Sequence, residues 1–340
     1  MTDQKVGVLI INLGTPDSPG IPDVRRYLRE FLMDGRVIDI PFISRWLLVN
    51  LIIAPFRAPK SSSIYRELWT ENGSPLLFYG RNNEKKLQEI LGDKYIVKLG
   101  MRYQKPSIKN ALYQLYQYPL SSLIILPLFP QYASATTGSV HQKVMEIISK
   151  WNNIPEIRFI NTYFNHPLFI KAFTEKAKQL LADRQYDYML FSYHGLPERQ
   201  IYKGSFDNYC QLGDCCNYYH AKNLNCYRAQ CFETSRILAR ALDIPDEKYE
   251  VVFQSRLGKD PWIQPYAEDV IRSLPKLGKK KVAVIIPSFV ADCLETIIEV
   301  GEEFKEIFLD AGGEEWLFIE SLNDSETWLE CLYSLVKNQT

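Results

Sequence analysis

Val6-Gly-Val-Leu-Ile-Ile-Asn-Leu-Gly-Thr-Pro16 is an apolar run that ends in x-Gly-x-Pro, and the chain repeats this device at Met189-Leu-Phe-Ser-Tyr-His-Gly-Leu-Pro197. Runs of Val, Ile and Leu this continuous suit strands buried on both faces of a parallel sheet. Two more echoes follow in the same order. Tyr95 precedes Arg102 by seven positions and Tyr249 precedes Arg256 by seven. Leu123-Ile-Ile-Leu-Pro-Leu-Phe129 then matches Ala283-Val-Ile-Ile-Pro-Ser-Phe289, each entering a polar loop and a helical pattern. Three ordered matches predict an α/β chain of two similar domains, near 1–163 and 164–322, whose strands alternate with helices and whose sheets are mainly parallel. Beyond them, Trp328, Leu329, Leu332 and Leu335 sit at helical spacing, which predicts a closing helix within 323–340.

With 340 residues and 46% hydrophobic content, the chain can fill two ordinary cores. Forty basic and forty acidic side chains cancel, so no global field draws it to nucleic acid or an anionic membrane. The N-terminal apolar run Val6 to Ile11 is too short and wrongly flanked for a signal peptide, and a cytoplasmic protein is expected. Trp46 to Phe56, bounded by Arg45 and Arg57, falls short of the roughly 20 residues that span a bilayer. It reads either as a buried helix or as an apolar lip meeting a membrane surface or a greasy ligand. No G-x-G-x-x-G, phosphate-binding loop or G-x-S-x-G elbow is present, which disfavours nucleotide binding and serine hydrolysis.

His194 closes its strand, and its counterpart in the first repeat is Leu13. Open α/β folds place their chemistry at the C-terminal ends of strands, where an imidazole can bind a metal or take a proton near neutral pH. The bland alternative is a turn histidine bonded to backbone. In the same half, Asp292, Glu295, Glu299 and Glu302 fall at i, i+3, i+7 and i+10 after the strand Lys281 to Pro287. A helix would stack them on one side. Carboxylates there could receive a hard dication or its displaced protons; the alternative is a solvated face. Cys210, Cys215, Cys216, Cys226 and Cys231 crowd into 22 positions, which in a cytosolic chain argues for metal or redox chemistry over structural disulfides.

Taken together these residues resemble the ferrochelatase family, enzymes that insert ferrous iron into a porphyrin at the end of haem synthesis. The landmarks span nearly the whole chain: Leu13-Gly-Thr-Pro16; Arg57-Ala-Pro-Lys60 with Tyr65 and Gly73-Ser74; Met101-Arg-Tyr103; Pro130 to Gly138; Ser192-Tyr-His-Gly-Leu-Pro197; Gln254-Ser-Arg-Leu-Gly258 with Pro261-Trp262; and Asp292-Cys-Leu-Glu-Thr296. The resemblance implies the chelatase fold, two Rossmann-like domains with a porphyrin cleft between them, and Fe2+ as a substrate. It implies that His194 and Glu295 face each other across the macrocycle as the catalytic and metal-receiving pair, with Asp292 and Glu299 as relays. It also implies that Arg57, Lys60, Tyr65 and Ser74 meet the propionates, that Leu13, Tyr193 and Trp262 wall the ring, and that Arg102 lies in the cleft. His166 matches another family histidine, although a turn-stabilising role is equally open; His141 and His220 support no functional claim.

Two departures stand out. Cys293 replaces the histidine that many relatives place between the Asp and Glu of the acidic motif, which undercuts a relay role there. The cysteine-rich insertion after Gly204 is the larger one. Animal-type relatives use one cysteine in the loop where this chain has Ser134, plus a C-terminal tail, so that arrangement does not apply. Some microbial relatives use an internal segment, and the five cysteines here could furnish a [2Fe-2S] cluster, a zinc site or free thiols. Insertion of Fe2+ into protoporphyrin is the expected activity, with coproporphyrin or a cobalt-accepting ring as rival substrates, and a non-catalytic tetrapyrrole carrier as the rival of another class.

Overall fold

The computed structural model describes residues 4–256, 258 and 260–339. Leu257 of the Gln254–Gly258 landmark and the first three residues of the N-terminal lead lie outside the described residues. Two compact units separate. The first takes the chain up to Phe129, Ser134–Asn161 and the chain from Leu329 onward; the second takes Pro130–Ala133 and Thr162–Trp328.

Unit 1 is built on β1 (Lys5–Gly14), β2 (Tyr95–Tyr103), β3 (Leu120–Pro127) and β4 (Glu156–Phe159), hydrogen-bonded in the order β2-β1-β3-β4. Unit 2 uses β5 (Tyr188–His194), β6 (Tyr249–Gln254), β7 (Lys281–Ile285) and β8 (Glu315–Phe318) in the corresponding order β6-β5-β7-β8. All pairings are parallel. The apolar runs occupy the first and third strands of each set because those strands are inner ones, covered on both faces. In unit 1, Leu9, Ile11, Leu123 and Ile125 pack with Leu112 and Val144 from flanking helices. In unit 2, Leu190, Val252 and Val284 pack with Ile271, Phe304 and Phe308. The closing helix forms at Glu326–Lys337 with Trp328, Leu329, Leu332 and Leu335 all buried.

The x-Gly-x-Pro turns need glycine because the next strand's backbone lies against them. A Cβ on Gly14, whose φ is +118°, would sit 2.1 Å from the Tyr103 carbonyl oxygen, and one on Gly195 would sit 2.9 Å from that of Gln254. After the third strand of each unit the chain enters a π-helix: Ser134–Gly138 leads into the α-helix Ser139–Ile148, and Glu295–Glu303 leads into Phe304–Asp310. A regular α-helix is what the acidic spacing predicts. The i→i+5 turn of a π-helix is wider, and such turns recur at functional sites.

The 46–56 segment lies in a continuous helical stretch composed of Phe42–Leu47, the π-turn Leu48–Ile53 and Ala54–Leu68. A wholly buried helix does not hold: Ile43 is 73% and Phe56 79% exposed, with Phe42, Leu51 and Ile52 also above half, while Val49 and Ala54 are buried. Among the described residues no helix is long and apolar enough to cross a membrane.

Candidate active site and cysteine cluster

Side chains alternate along β5, so Ser192 and His194 share one face while Tyr193 takes the other. Gln254 stands in register beside His194 on β6 and therefore points the same way. Its Oε1 accepts a hydrogen bond from the Ser192 hydroxyl at 2.7 Å. Its Nε2 donates to the Glu295 carbonyl and to the Glu299 carboxylate, both at 3.1 Å. One fully buried amide thus ties the strand pair that ends at His194 to the π-helix that carries Glu295 and Glu299.

The His194 ring is half-buried, and its Nδ1 lies 2.6 Å from the Gly195 carbonyl. A carbonyl can only accept, so Nδ1 is the donor in this contact, and in the neutral ring the lone pair then sits on Nε2. Gly195 permits this close turn, since a Cβ there would meet Gln254 and also the Trp262 ring at 3.1 Å. Trp262 is half-buried, with its ring centroid 6.3 Å from that of His194.

Burial pushes the Glu299 carboxyl up to about 7, with the charges of Glu295 and Glu303 adding to the push against the donors Ser255 and Gln254. The Ser255 hydroxyl donates to it at 2.6 Å. Asp292 differs. Its carboxylate accepts from the Asn323 amide at 2.7 Å, the Ser321 N–H at 3.1 Å and the Thr296 hydroxyl at 3.1 Å. These bonds pin the entry to the π-helix and leave the carboxylate buried ahead of it, off the stack that helical spacing predicts. Glu302 is exposed to solvent. The Cys293 thiol is buried, and burial together with the neighbouring Glu295 charge pushes it well above its usual range, so it stays protonated and hydrogen-bonded to Glu295.

Other expected residues scatter in their environments. Tyr193 is fully buried, its hydroxyl 2.8 Å from that of Ser235 and its ring tilted on Phe253. It is a core residue, on the sheet face opposite His194, and walls no open surface. Arg102 is held inside unit 1: it donates to Asp34 at 2.5 Å and to Ser139 at 2.6 Å. Asp34 also accepts from the Tyr103 hydroxyl at 2.9 Å and from Ser139. Burial raises the Asp34 carboxyl, but bonds from Ser139 and the Arg36 N–H, with the Arg102 charge, outweigh it and hold the group below its usual range. Tyr65 is buried edge-on to Tyr27, and Ser74 is buried with no hydrogen-bond partner on its Oγ among the described residues. Arg57 and Lys60 are exposed on Ala54–Leu68, and Leu13 is half-buried.

In the insertion, the Cys215 and Cys216 sulfurs are 3.8 Å apart. A hydrogen bond from Cys226, aided by Arg228, lowers the Cys216 thiol to about 6, while its partner Cys226 is pushed up by that same bond and by burial. The Cys210 thiol is raised by burial and interacts with Cys215. Cys231 is fully buried and hydrogen-bonded to Tyr227, and burial pushes its thiol well above the usual range, with the neighbouring Cys216 adding to the push. Among the described residues no group of three or more His, Cys, Asp or Glu side chains is arranged to hold a metal ion. The remaining histidines have local roles: His166 caps Pro167–Leu181 by accepting the Leu168 N–H, His220 accepts the Lys222 N–H, and burial lowers His141 to about 4.

Sequence reasoning did not single out Gln254 as a site residue, nor Ser192, Ser255, Asp34 or Ser139. Gln254 was findable from strand register, as the residue beside His194 on the neighbouring strand; the others needed coordinates.

A ferrochelatase from Coxiella burnetii (strain Dugway 5J108-111) is 45% identical over 340 residues, covering 98% of this chain and 94% of that protein. A ferrochelatase from Legionella pneumophila (strain Corby) is 46% identical over 333 residues, covering 98% and 99%. Among solved structures, SirB from Bacillus subtilis with Fe3+ superposes with a TM-score of 0.54 at 9% identity, covering 98% of this chain and 95% of that one. CbiX, described as the terminal enzyme for siroheme biosynthesis in denitrifying bacteria, gives 0.50 at 11%, covering 98% and 99%. These two likenesses concern the fold. A sequence model of the ferrochelatase family matches residues 5–340, and the chain belongs to that family.

Proposed function

We propose that His194 and Glu295 carry the ferrochelatase reaction, in which Fe2+ enters protoporphyrin IX, two pyrrole protons leave, and protohaem forms. The observation that supports this assignment is the Gln254 amide, which links the His194 strand pair to the π-helix of Glu295 and Glu299 on one sheet face. The Nε2 lone pair of His194 takes a pyrrole proton. Glu295 receives the incoming dication or the second proton, and Glu299, poised near neutral pH, passes protons onward. Asp292 serves as an anchor for the π-helix. Within unit 2, Trp262 offers apolar surface beside His194; within unit 1, the exposed cations Arg57 and Lys60 carry the charge that propionates pair with.

Anaerobic metallation with Fe2+, comparing protoporphyrin, coproporphyrin and sirohydrochlorin, tests this reading. Protoporphyrin is processed fastest, and His194→Ala or Glu295→Gln lowers turnover at least about 100-fold while porphyrin still quenches protein fluorescence. Porphyrin binding without metallation by the unmodified protein would point to a carrier instead.

A second reading concerns Cys210, Cys215, Cys216 and Cys226. Four thiols in one insertion, one of them acidified by its neighbours, supply the donor type a [2Fe-2S] cluster takes, although among the described residues no three such side chains are arranged to hold a metal ion. Such a cluster would supply a structural or redox-sensing element. Protein purified without oxygen should then be coloured and contain acid-labile sulfide; colourless, sulfide-free protein overturns it.

A further inference from the structure

Tyr227 opens the helix Tyr227–Ala241, immediately after Cys226. Its side chain is buried, and its hydroxyl donates to the His194 carbonyl at 2.9 Å. The same peptide unit is held from its other end, because the Gly195 N–H donates to the Gln254 carbonyl at 2.8 Å. The His194–Gly195 peptide plane is therefore clamped at both its oxygen and its nitrogen. The next carbonyl along, that of Gly195, receives the His194 Nδ1–H. The tautomer and aim of the imidazole thus depend on a backbone that Tyr227 helps to fix. Burying a hydroxyl is unfavourable unless it is used, and a phenylalanine would fill the same space without that penalty.

We propose that Tyr227 is a positioning residue for metal insertion, acting through the His194 backbone and linking the cysteine-rich insertion to the imidazole that accepts the pyrrole proton. This rests on the His194 role proposed above. Cys226 is the residue before Tyr227, so the end of the insertion lies one residue from this contact.

Tyr227→Phe removes the hydroxyl and keeps the ring. Its kcat for Fe2+ insertion should fall about 10-fold per folded molecule, the KM for protoporphyrin should stay within about twofold, and the melting temperature should move by no more than about 4 °C. The protein has four histidines, so 15N-histidine spectra can be assigned by single substitution. His194 should show the Nδ1–H tautomer in the unmodified protein and a mixture in Tyr227→Phe. Unchanged kcat, or a lowered kcat with the tautomer untouched, overturns the proposal. His194→Ala separates the two levels: if it keeps turnover, the His194 reading itself fails. If it abolishes turnover while Tyr227→Phe is silent, only the positioning role fails.

Discussion

Units 1 and 2 share a strand order, a glycine turn after the first strand and a π-helix after the third, yet they place different chemistry at the matching positions. Leu13 falls beside Arg102, between the register pairs Asn12–Met101 and Gly14–Tyr103, just as His194 falls beside Gln254. Register therefore matches Arg102 with Gln254, whereas the seven-residue spacing in sequence suggests Arg256. Both residues are hubs. Arg102 gathers Asp34 and Ser139 into a buried ion pair, and Gln254 gathers Ser192, Glu295 and Glu299 around a neutral amide. The ion pair spends its hydrogen bonds on holding one conformation. The neutral hub holds a carboxylate near its titration point and is itself the strand neighbour of His194, an arrangement that suits the proton transfer proposed above. Duplicated scaffolding can thus serve stability in one copy and reactivity in the other.

Substitution at the two hubs should separate those roles. Gln254→Leu strips the Glu299 carboxylate and the Ser192 hydroxyl of a partner, and we expect turnover to drop about 100-fold with a stability loss of about 1–3 kcal/mol. Arg102→Leu leaves Asp34 buried without its cation, and the stability loss should be larger, about 3–5 kcal/mol. Turnover per folded molecule should change little. Steady-state metallation and denaturant melts on both variants read this out; equal loss of turnover in the two would abolish the distinction between the hubs.

Glu299 gives a pH test of the same contrast. Its folded-state pKa, near 7, lies above the usual carboxylate range, so ionising it disfavours the fold. That penalty is absent below the unfolded pKa of about 4.3, grows as pH rises toward 7, and is fully present above it. Glu299→Gln should therefore gain stability over the unmodified protein as pH rises through this window, by up to about 3 kcal/mol. Asp34, held low by its partners, behaves oppositely: its contribution is present above the usual carboxylate pKa and fades as acid protonates it. Urea melts of the Glu299→Gln and unmodified proteins from pH 4 to 8 compare the two directly.

The two-unit α/β scaffold was legible because inner parallel strands must be continuously apolar and because the glycine turns recur, as at Gly14 and Gly195. That His194 closes a strand was legible from the apolar run before it. The π-helix was not, since i, i+3, i+7 spacing looks the same whether the turn holds 3.6 residues or more, and only Asp292's bonds to Asn323 and Ser321 show where the helix begins. Tyr193 was misread because a family motif does not say which side of a strand faces the core. Spacing groups Cys231 with the other cysteines but does not show that helix phase also turns it against Tyr227.

Each unit also elaborates the crossover between its first and second strands, and here the effects should be smallest on the fold. Unit 1 carries the exposed apolar helix Phe42–Leu68 there, and unit 2 carries the cysteine-rich insertion. A cluster of exposed Phe, Ile and Leu flanked by Arg45, Arg57 and Lys60 suits a membrane surface or a greasy product. Phe56 at 79% exposure contributes almost nothing to a core, so Phe56→Asp should change stability by no more than about 0.5 kcal/mol. If the segment meets lipid, the same substitution should weaken co-sedimentation with phosphatidylcholine vesicles several-fold and leave metallation of detergent-dispersed protoporphyrin unchanged. A large stability loss would instead mean that the segment is packed in solution, and the contrast between an open crossover in unit 1 and a folded one in unit 2 would have to be abandoned.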